Sequence, residues 1–208
     1  MLRDECILVN EQDQVVGHAN KHSCHRFECP AQPKGLLHRA FSVFLFSPDG
    51  RLLLQQRARD KITFPGVWTN TCCSHPLFGQ QPDEVDPPAA TADGSVPGAK
   101  HAAVRKLQHE LGIPPAQLPI EGFHYLTRLH YCAADTDTWG PEAEWGEHEV
   151  DYVLFVRCGV MQVLCSSAPP NSAVPLGLAR QWSLHVHAFL MRELTARTLL
   201  LHMIAFAV

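Results

Sequence analysis

Cys73 and His75 lie two residues apart in the run Thr69-Asn70-Thr71-Cys72-Cys73-Ser74-His75-Pro76, and far downstream Glu147 and Glu149 lie two apart in Trp145-Gly146-Glu147-His148-Glu149. Side chains on a strand alternate between its two faces, so the members of each pair can share a face. If the two segments face each other, a thiol, an imidazole and two carboxylates meet in one pocket. The thiol is a proton donor, the imidazole a metal ligand, and the carboxylates serve as base or ligand. That set suits acid/base chemistry around a metal ion.

The elements that must position these residues come from one domain. A chain of 208 residues that is 46% hydrophobic and 18% charged can bury a single sizeable core. A net charge of -4 gives no basic footprint for nucleic acid, so an anionic ligand must be met by local Lys and Arg. The start, Met1-Leu2-Arg3-Asp4-Glu5-Cys6, carries charge where a secretory apolar region would lie, so the eight Cys are expected to be reduced rather than paired.

Residues 6–9 and 15–17 flank the polar turn Asn10-Glu11-Gln12-Asp13 and predict a hairpin. Residues 40–46 and 51–56 predict a second strand pair around Ser47-Pro48-Asp49-Gly50. Residues 80–98, rich in Pro, Ala, Asp and Gly, predict a surface loop. Residues 99–111 have helical spacing, with Ala102, Ala103, Leu107 and Leu111 on one face and Gly112 as the stop. Further strands are expected at 123–131 and 150–157, and the Trp139-Gly140-Pro141-Glu142 copy of the later Trp-Gly motif as an inserted loop. Hairpins around one embedded helix predict an α+β sandwich rather than a doubly wound sheet. From Met161 the character changes: 166–175 is linker-like, and 181–208 is a helix candidate whose apolar end, 199–208, is too short to span a bilayer.

Several motifs recur in one order: Leu37-His38-Arg39-Ala40-Phe41-Ser42, Gln55-Gln56-Arg57, Thr63-Phe64-Pro65-Gly66, Cys72-Cys73-Ser74-His75-Pro76, Glu110-Leu111-Gly112-Ile113 and the Trp145 to Glu149 run. Over residues 5 to about 160 this pattern resembles the type 1 isopentenyl-diphosphate isomerases of the Nudix superfamily. The resemblance implies a Nudix-type α/β/α sandwich for residues 1–160 and an isomerase of isoprenoid biosynthesis. Such an enzyme interconverts isopentenyl and dimethylallyl diphosphate by protonation and deprotonation through a carbocation. It implies Cys73 and Glu149 as the acid/base pair, with Tyr131 hydrogen-bonded to the Glu. It implies a divalent-ion cage of His25, His38, His75, Glu147 and Glu149, a second ion, Mg2+, carried by the substrate diphosphate and helped by Glu110, and diphosphate contacts from Lys21, Arg57, Lys61 and Lys106. The partner implied is a small-molecule diphosphate, with no nucleic acid and no membrane, for a monomer in the cytoplasm, with the peroxisome left open.

Residues 161–208 depart from that family. They lack its next strand, its packed helix and the late Trp whose aromatic face stabilises the cation, an effect of about 2 kcal/mol or more when desolvated. The C-terminal layer is therefore expected to be incomplete, and a catalytically impaired form of the enzyme is the second reading. A Nudix hydrolase is a third, disfavoured because Arg105-Lys106-Leu107-Gln108-His109-Glu110 lacks most of the acidic residues that hold metals in such hydrolases. A zinc-binding interaction module around Cys24, His25 and Cys29 matches no closed zinc spacing. Without the motif context the same residues have ordinary roles: packing for Cys24, Cys29 and Cys72, solvated charge for Lys21, Arg57, Lys61, Glu147 and Glu149.

Overall fold

The computed structural model describes residues 1–27 and 34–158. The chain opens with a hairpin, β1 (Glu5–Val9) and β2 (Val15–Asn20), paired antiparallel. Its turn closes because the Asn10 side chain accepts the Gln12 and Gln14 amides while Asp13 takes the left-handed φ of 64°. Asn20 ends β2 and caps α1 (Lys21–His25), its side-chain oxygen accepting the Ser23 amide.

The central strand is β3 (His38–Phe46), in a mixed sheet of order β2-β1-β3-β8-β7, with β6 (Cys72–Ser74) also pairing with β3. β8 (Gly146–Arg157) runs parallel to β3 in a register from His38↔Glu149 to Phe46↔Arg157, and β7 (Phe123–Ala134) closes the edge antiparallel to β8. A parallel pair needs a long crossover. Here that crossover holds β4 (Gln55–Gln56), which pairs with β5 (Trp68–Thr69), then β6, α2 (Pro88–Asp93), α3 (Pro97–Leu111), β7 and the single turn α4 (Thr136–Trp139).

α3 lies against one face of the sheet. Ala99, Ala102, Ala103, Leu107 and Leu111 pack with Phe41, Val43, Leu45, Cys72, Val150, Tyr152 and Leu154. Each fully buried Leu or Phe there contributes about 1.5–3 kcal/mol. The helix starts on a cap that comes from outside it: Asp86 accepts the Gly98 and Ala99 amides at 2.7 and 2.9 Å. Gly98 is needed because a Cβ there would run into the Glu84 carbonyl. At the other end Gly112 (φ 68°) and Ile113 turn their amides back to Gln108 and Leu107, a Schellman-type stop. Buried Arg39 bolts these parts together, donating to the Asp13 carboxylate and carbonyl and to the Asp86 carbonyl.

Two expectations change. Residues 51–56 do not form a continuous hairpin partner of β3: a single bridge, Phe46↔Leu52, is followed by a turn away so that Gln55 and Gln56 pair with β5. The Thr71 hydroxyl, which takes the Leu53 carbonyl and the Leu45 amide, occupies the bonds that a longer hairpin would use. Residues 80–98 are not all loop, since Pro88 opens a short helix that Gly94 ends in the left-handed region. The Pro, Ala and Gly that suggest a loop are also the residues of helix starts and stops. The strands at 123–131 and 150–157 both extend further, and β8 includes Glu147 and Glu149. Cys29, the linker-like 166–175, the helix candidate 181–208 and the expected gap in the C-terminal layer lie outside the described residues. No helix among the described residues is long and apolar enough to cross a membrane.

Candidate functional site

The period of two fixes which side chains can meet. On β3, residues 38, 42 and 44 point away from α3, as do 147, 149, 151 and 153 on β8 and 73 on β6. The Cys73 and Glu147–Glu149 segments do not face each other; they flank β3 within one sheet, Cys73 opposite Ser42 and Glu149 beside His38.

His25 from α1, His38 from the start of β3, His75 just past β6 and Glu149 from β8 converge, with one ligand atom from each lying within 4.8 Å of the others. All four are buried. Glu149 Oε1 is 2.8 Å from His75 Nε2, 3.6 Å from His38 Nε2 and 3.9 Å from His25 Nε2. His25 and His38 give Nδ1 to the Lys21 and Leu36 carbonyls, each at 2.7 Å, which puts the lone pair on Nε2. Those two Nε2 atoms are buried without a hydrogen-bond partner. Buried polar atoms of that kind call for a partner, and a cation among three imidazoles and a carboxylate is the partner whose chemistry fits. This buried His/Glu group can hold a metal ion. Burial holds the His75 imidazole down at about 3. Burial alone would raise Glu149, but the adjacent His38 and the hydrogen bond from His75 outweigh it and hold the carboxyl well below the usual range.

Glu147 stands outside that group. Its carboxylate accepts from Thr63 Oγ1 and Tyr131 Oη, both at 3.0 Å, with Arg57 3.9 Å away. Tyr131 lies opposite Glu149 across β7 and β8, and its hydroxyl is 2.5 Å from Glu149 Oε2, so one phenol bridges the two carboxylates. Burial and the neighbouring Glu149 charge raise Glu147 above the ordinary range.

A cavity of about 230 Å3 opens beside the group, and Lys21, Arg57, Lys61, Cys73, Glu110 and Glu147 are among its walls. Lys106 approaches it through its ion pair with Glu110 at 2.9 Å. Burial lowers the Lys61 ammonium; burial would raise Glu110, but Lys106 and Lys61 hold it down. Glu110 is the only carboxylate on α3. Arg105, from the same helix, is tied to Glu84 at 2.6 Å.

Cys73 is half-buried and reaches the cavity, whereas Cys72, fully buried, turns to the α3 face. Burial, with Asp151 adding, pushes the Cys73 thiol up to about 12, so it carries its proton at neutral pH. Around it stand Asn70 Oδ1 at 2.7 Å and the hydroxyls of Ser42 and Thr69, each at 3.7 Å. Asp151 accepts from Ser42 at 2.8 Å and is itself pushed up to about 8, by burial and then by Glu149. Reading the sequence assigns no role to Asp151, Ser42, Thr69, Asn70 or Thr63. A signal for Asp151 is present there, since Glu147, Glu149 and Asp151 continue one alternation; the others are legible only once β3 and β6 are paired.

Comparisons with known proteins show what this chain is similar to. The chain is 52% identical over 160 residues to an isopentenyl-diphosphate delta-isomerase of Gibberella zeae, covering 76% of this chain and 58% of that protein. The isopentenyl-diphosphate delta-isomerase of Phaffia rhodozyma is 51% identical over 158 residues, with 74% and 57% covered. An isopentenyl-diphosphate delta-isomerase I of Clarkia breweri is 49% identical over 156 residues, with 75% and 49% covered. The chain thus spans about half to three fifths of the length of these relatives. A crystal structure of a Deinococcus radiodurans protein has a TM-score of 0.43 at 17% identity over 74% of this chain and 72% of that one, a likeness too slight to argue from. The model of the NUDIX domain matches residues 36–173, more than half of the chain, and with the mixed sheet packed on α3 it shows that this chain belongs to the NUDIX domain family.

Proposed function

We propose that this chain interconverts isopentenyl and dimethylallyl diphosphate. The observation that supports it is the placing of the Cys73 thiol and the Tyr131-bonded Glu149 carboxylate in one cavity whose walls also carry Lys21, Arg57 and Lys61. Shifting a double bond requires adding a proton to one carbon and removing one from another, so a protonated and an unprotonated group must both reach a small substrate. Cys73 carries its proton and Glu149 does not, and they come from strands on either side of β3. In the reverse direction their roles exchange. Positioned acids and bases of this kind contribute about 10²–10⁴-fold each. Tyr131 holds Glu149 in place and screens it from Glu147.

His25, His38, His75 and Glu149, with Glu147 beside them, would hold a divalent ion, which would supply positive charge next to Glu149. Lys21, Arg57, Lys61 and Lys106 would bind the diphosphate, whose desolvation a neutral pocket cannot offset. Mg2+ on the diphosphate, near Glu110, would neutralise the remaining charge. A cavity of about 230 Å3 suits a ligand smaller than the drug-sized molecules that fill about 300–1,000 Å3. We read residues 1–160 as this isomerase core and 161–208 as a divergent tail, in a cytoplasmic monomer.

An impaired form of the enzyme is favoured by one observation. None of the described residues lining the cavity is Phe, Tyr or Trp, so they offer the cation no aromatic face. Proton NMR of isopentenyl diphosphate in D2O with Mg2+ and the purified chain tests both readings. Deuterium entering the substrate with wild type and not with Cys73→Ala supports the acid/base site, and slow exchange that still requires Cys73 indicates the impaired form. No exchange at all, or release of phosphate instead, overturns the isomerase.

A further inference from the structure

Asn70 is a buried amide whose two donors are both committed to main chain. Its Nδ2 gives one hydrogen to the Val43 carbonyl at 3.0 Å and one to the Cys72 carbonyl at 3.1 Å. Val43 is on β3 and Cys72 on β6, so the amide is clamped across the strand pair that carries the thiol. Flipping it would set its oxygen against two carbonyl oxygens, which is strongly unfavourable. The oxygen therefore has one orientation. It accepts the Thr69 hydroxyl at 2.8 Å and faces Cys73 Sγ at 2.7 Å.

An amide oxygen only accepts, so the hydrogen between Asn70 and Cys73 must come from sulfur. The remaining sides of the sulfur are met by hydroxyls, each at 3.7 Å: Thr69 gives its hydrogen to Asn70, and Ser42, also bonded to Asp151, meets the sulfur as a donor. A thiol S–H is otherwise nearly free to rotate, and a freely rotating proton has no fixed direction relative to a substrate carbon. Asn70 itself does not line the cavity; it acts only through Cys73.

We propose that Asn70 is a positioning residue that aims the Cys73 S–H, holding the thiol proton in one orientation for transfer. The inference deepens the isomerase reading and rests on it for its consequence, but the hydrogen bond can be tested apart from activity. Misaligning a reacting group costs up to about 10²-fold. Asn70→Ala should therefore lower kcat by about 10- to 100-fold with KM nearly unchanged, because diphosphate contacts are untouched.

The direct readout is the infrared S–H stretch of Cys73, isolated as the difference between wild type and Cys73→Ala. In wild type the band should lie below that of the urea-unfolded chain, as for a hydrogen-bonded thiol. In Asn70→Ala it should return to the free-thiol position. A wild-type band already at the free position overturns the proposal even if Asn70→Ala does not fold. So does a band that a folded Asn70→Ala leaves in place, or a kcat equal to wild type. If the band shifts as expected while wild type shows no isomerisation, the hydrogen bond stands and the isomerase reading is what fails.

Discussion

The two faces of the sheet are built by the same strands to opposite rules. Toward α3, β3 and β8 present Phe41, Val43, Leu45, Val150, Tyr152, Leu154 and Val156, an almost wholly apolar surface. Away from α3 the alternate residues are His38, Ser42, Glu147, Glu149 and Asp151, which give way to Phe44 and Val153 only further along. Vicinal Cys72 and Cys73 are the sharpest case, one thiol on each face. Burying polar and charged groups is unfavourable unless each finds a partner. The polar face therefore contributes little to stability and concentrates function, while the α3 face concentrates stability.

The largest expected effect breaks that division on the polar side. Cys73→Ser should lower deuterium exchange into isopentenyl diphosphate by about 10²–10⁴-fold, while the thermal melting midpoint stays near wild type. Retained exchange would move the acid/base role to another residue.

Next comes the metal. His75→Ala removes one of the four converging groups, so divalent metal retained through purification, measured by inductively coupled plasma mass spectrometry, should fall to background. His22→Ala should keep wild-type metal, since His22 packs on Trp145 and is not in the group. Equal metal in the two variants would dismiss the assignment.

On the apolar side Leu107→Ala deletes a fully buried side chain and should cost about 2–5 kcal/mol by urea denaturation, with turnover per folded molecule unchanged. Cys72→Ser places a hydroxyl in the same core and should cost about 1–3 kcal/mol while exchange persists. A loss of exchange as large as that of Cys73→Ser would erase the contrast between the two cysteines. The smallest effect belongs to the detached helix cap: Asp86→Ala should cost about 0.5–2 kcal/mol, read as a lower urea midpoint without loss of bound metal.

How far the sequence reached follows from the range of the interactions. β1, β2, α3 with its Gly112 stop, and the shared faces of Cys73 with His75 and of Glu147 with Glu149 were legible because period and capping act over a few residues. The break in the 51–56 strand was not, because Thr71 takes the main-chain bonds from a distance in sequence. The α3 cap was hidden for the same reason. A helix start is ordinarily signalled by the residue beside it, whereas Asp86 reaches the Gly98 and Ala99 amides from 12 and 13 positions away.

By itself, then, the sequence determined which side chains alternate, where the long helix stops and which residue types were available for proton transfer. Only the tertiary structure decided that β3 separates the thiol from the carboxylate, that Glu147 meets Tyr131 and Thr63 rather than the three imidazoles, and that Asn70, Ser42 and Asp151 surround Cys73. The physical reason is that a hydrogen bond between Ser42 and Asp151 joins residues 109 positions apart. No local periodicity encodes such a contact; strand pairing and register create it.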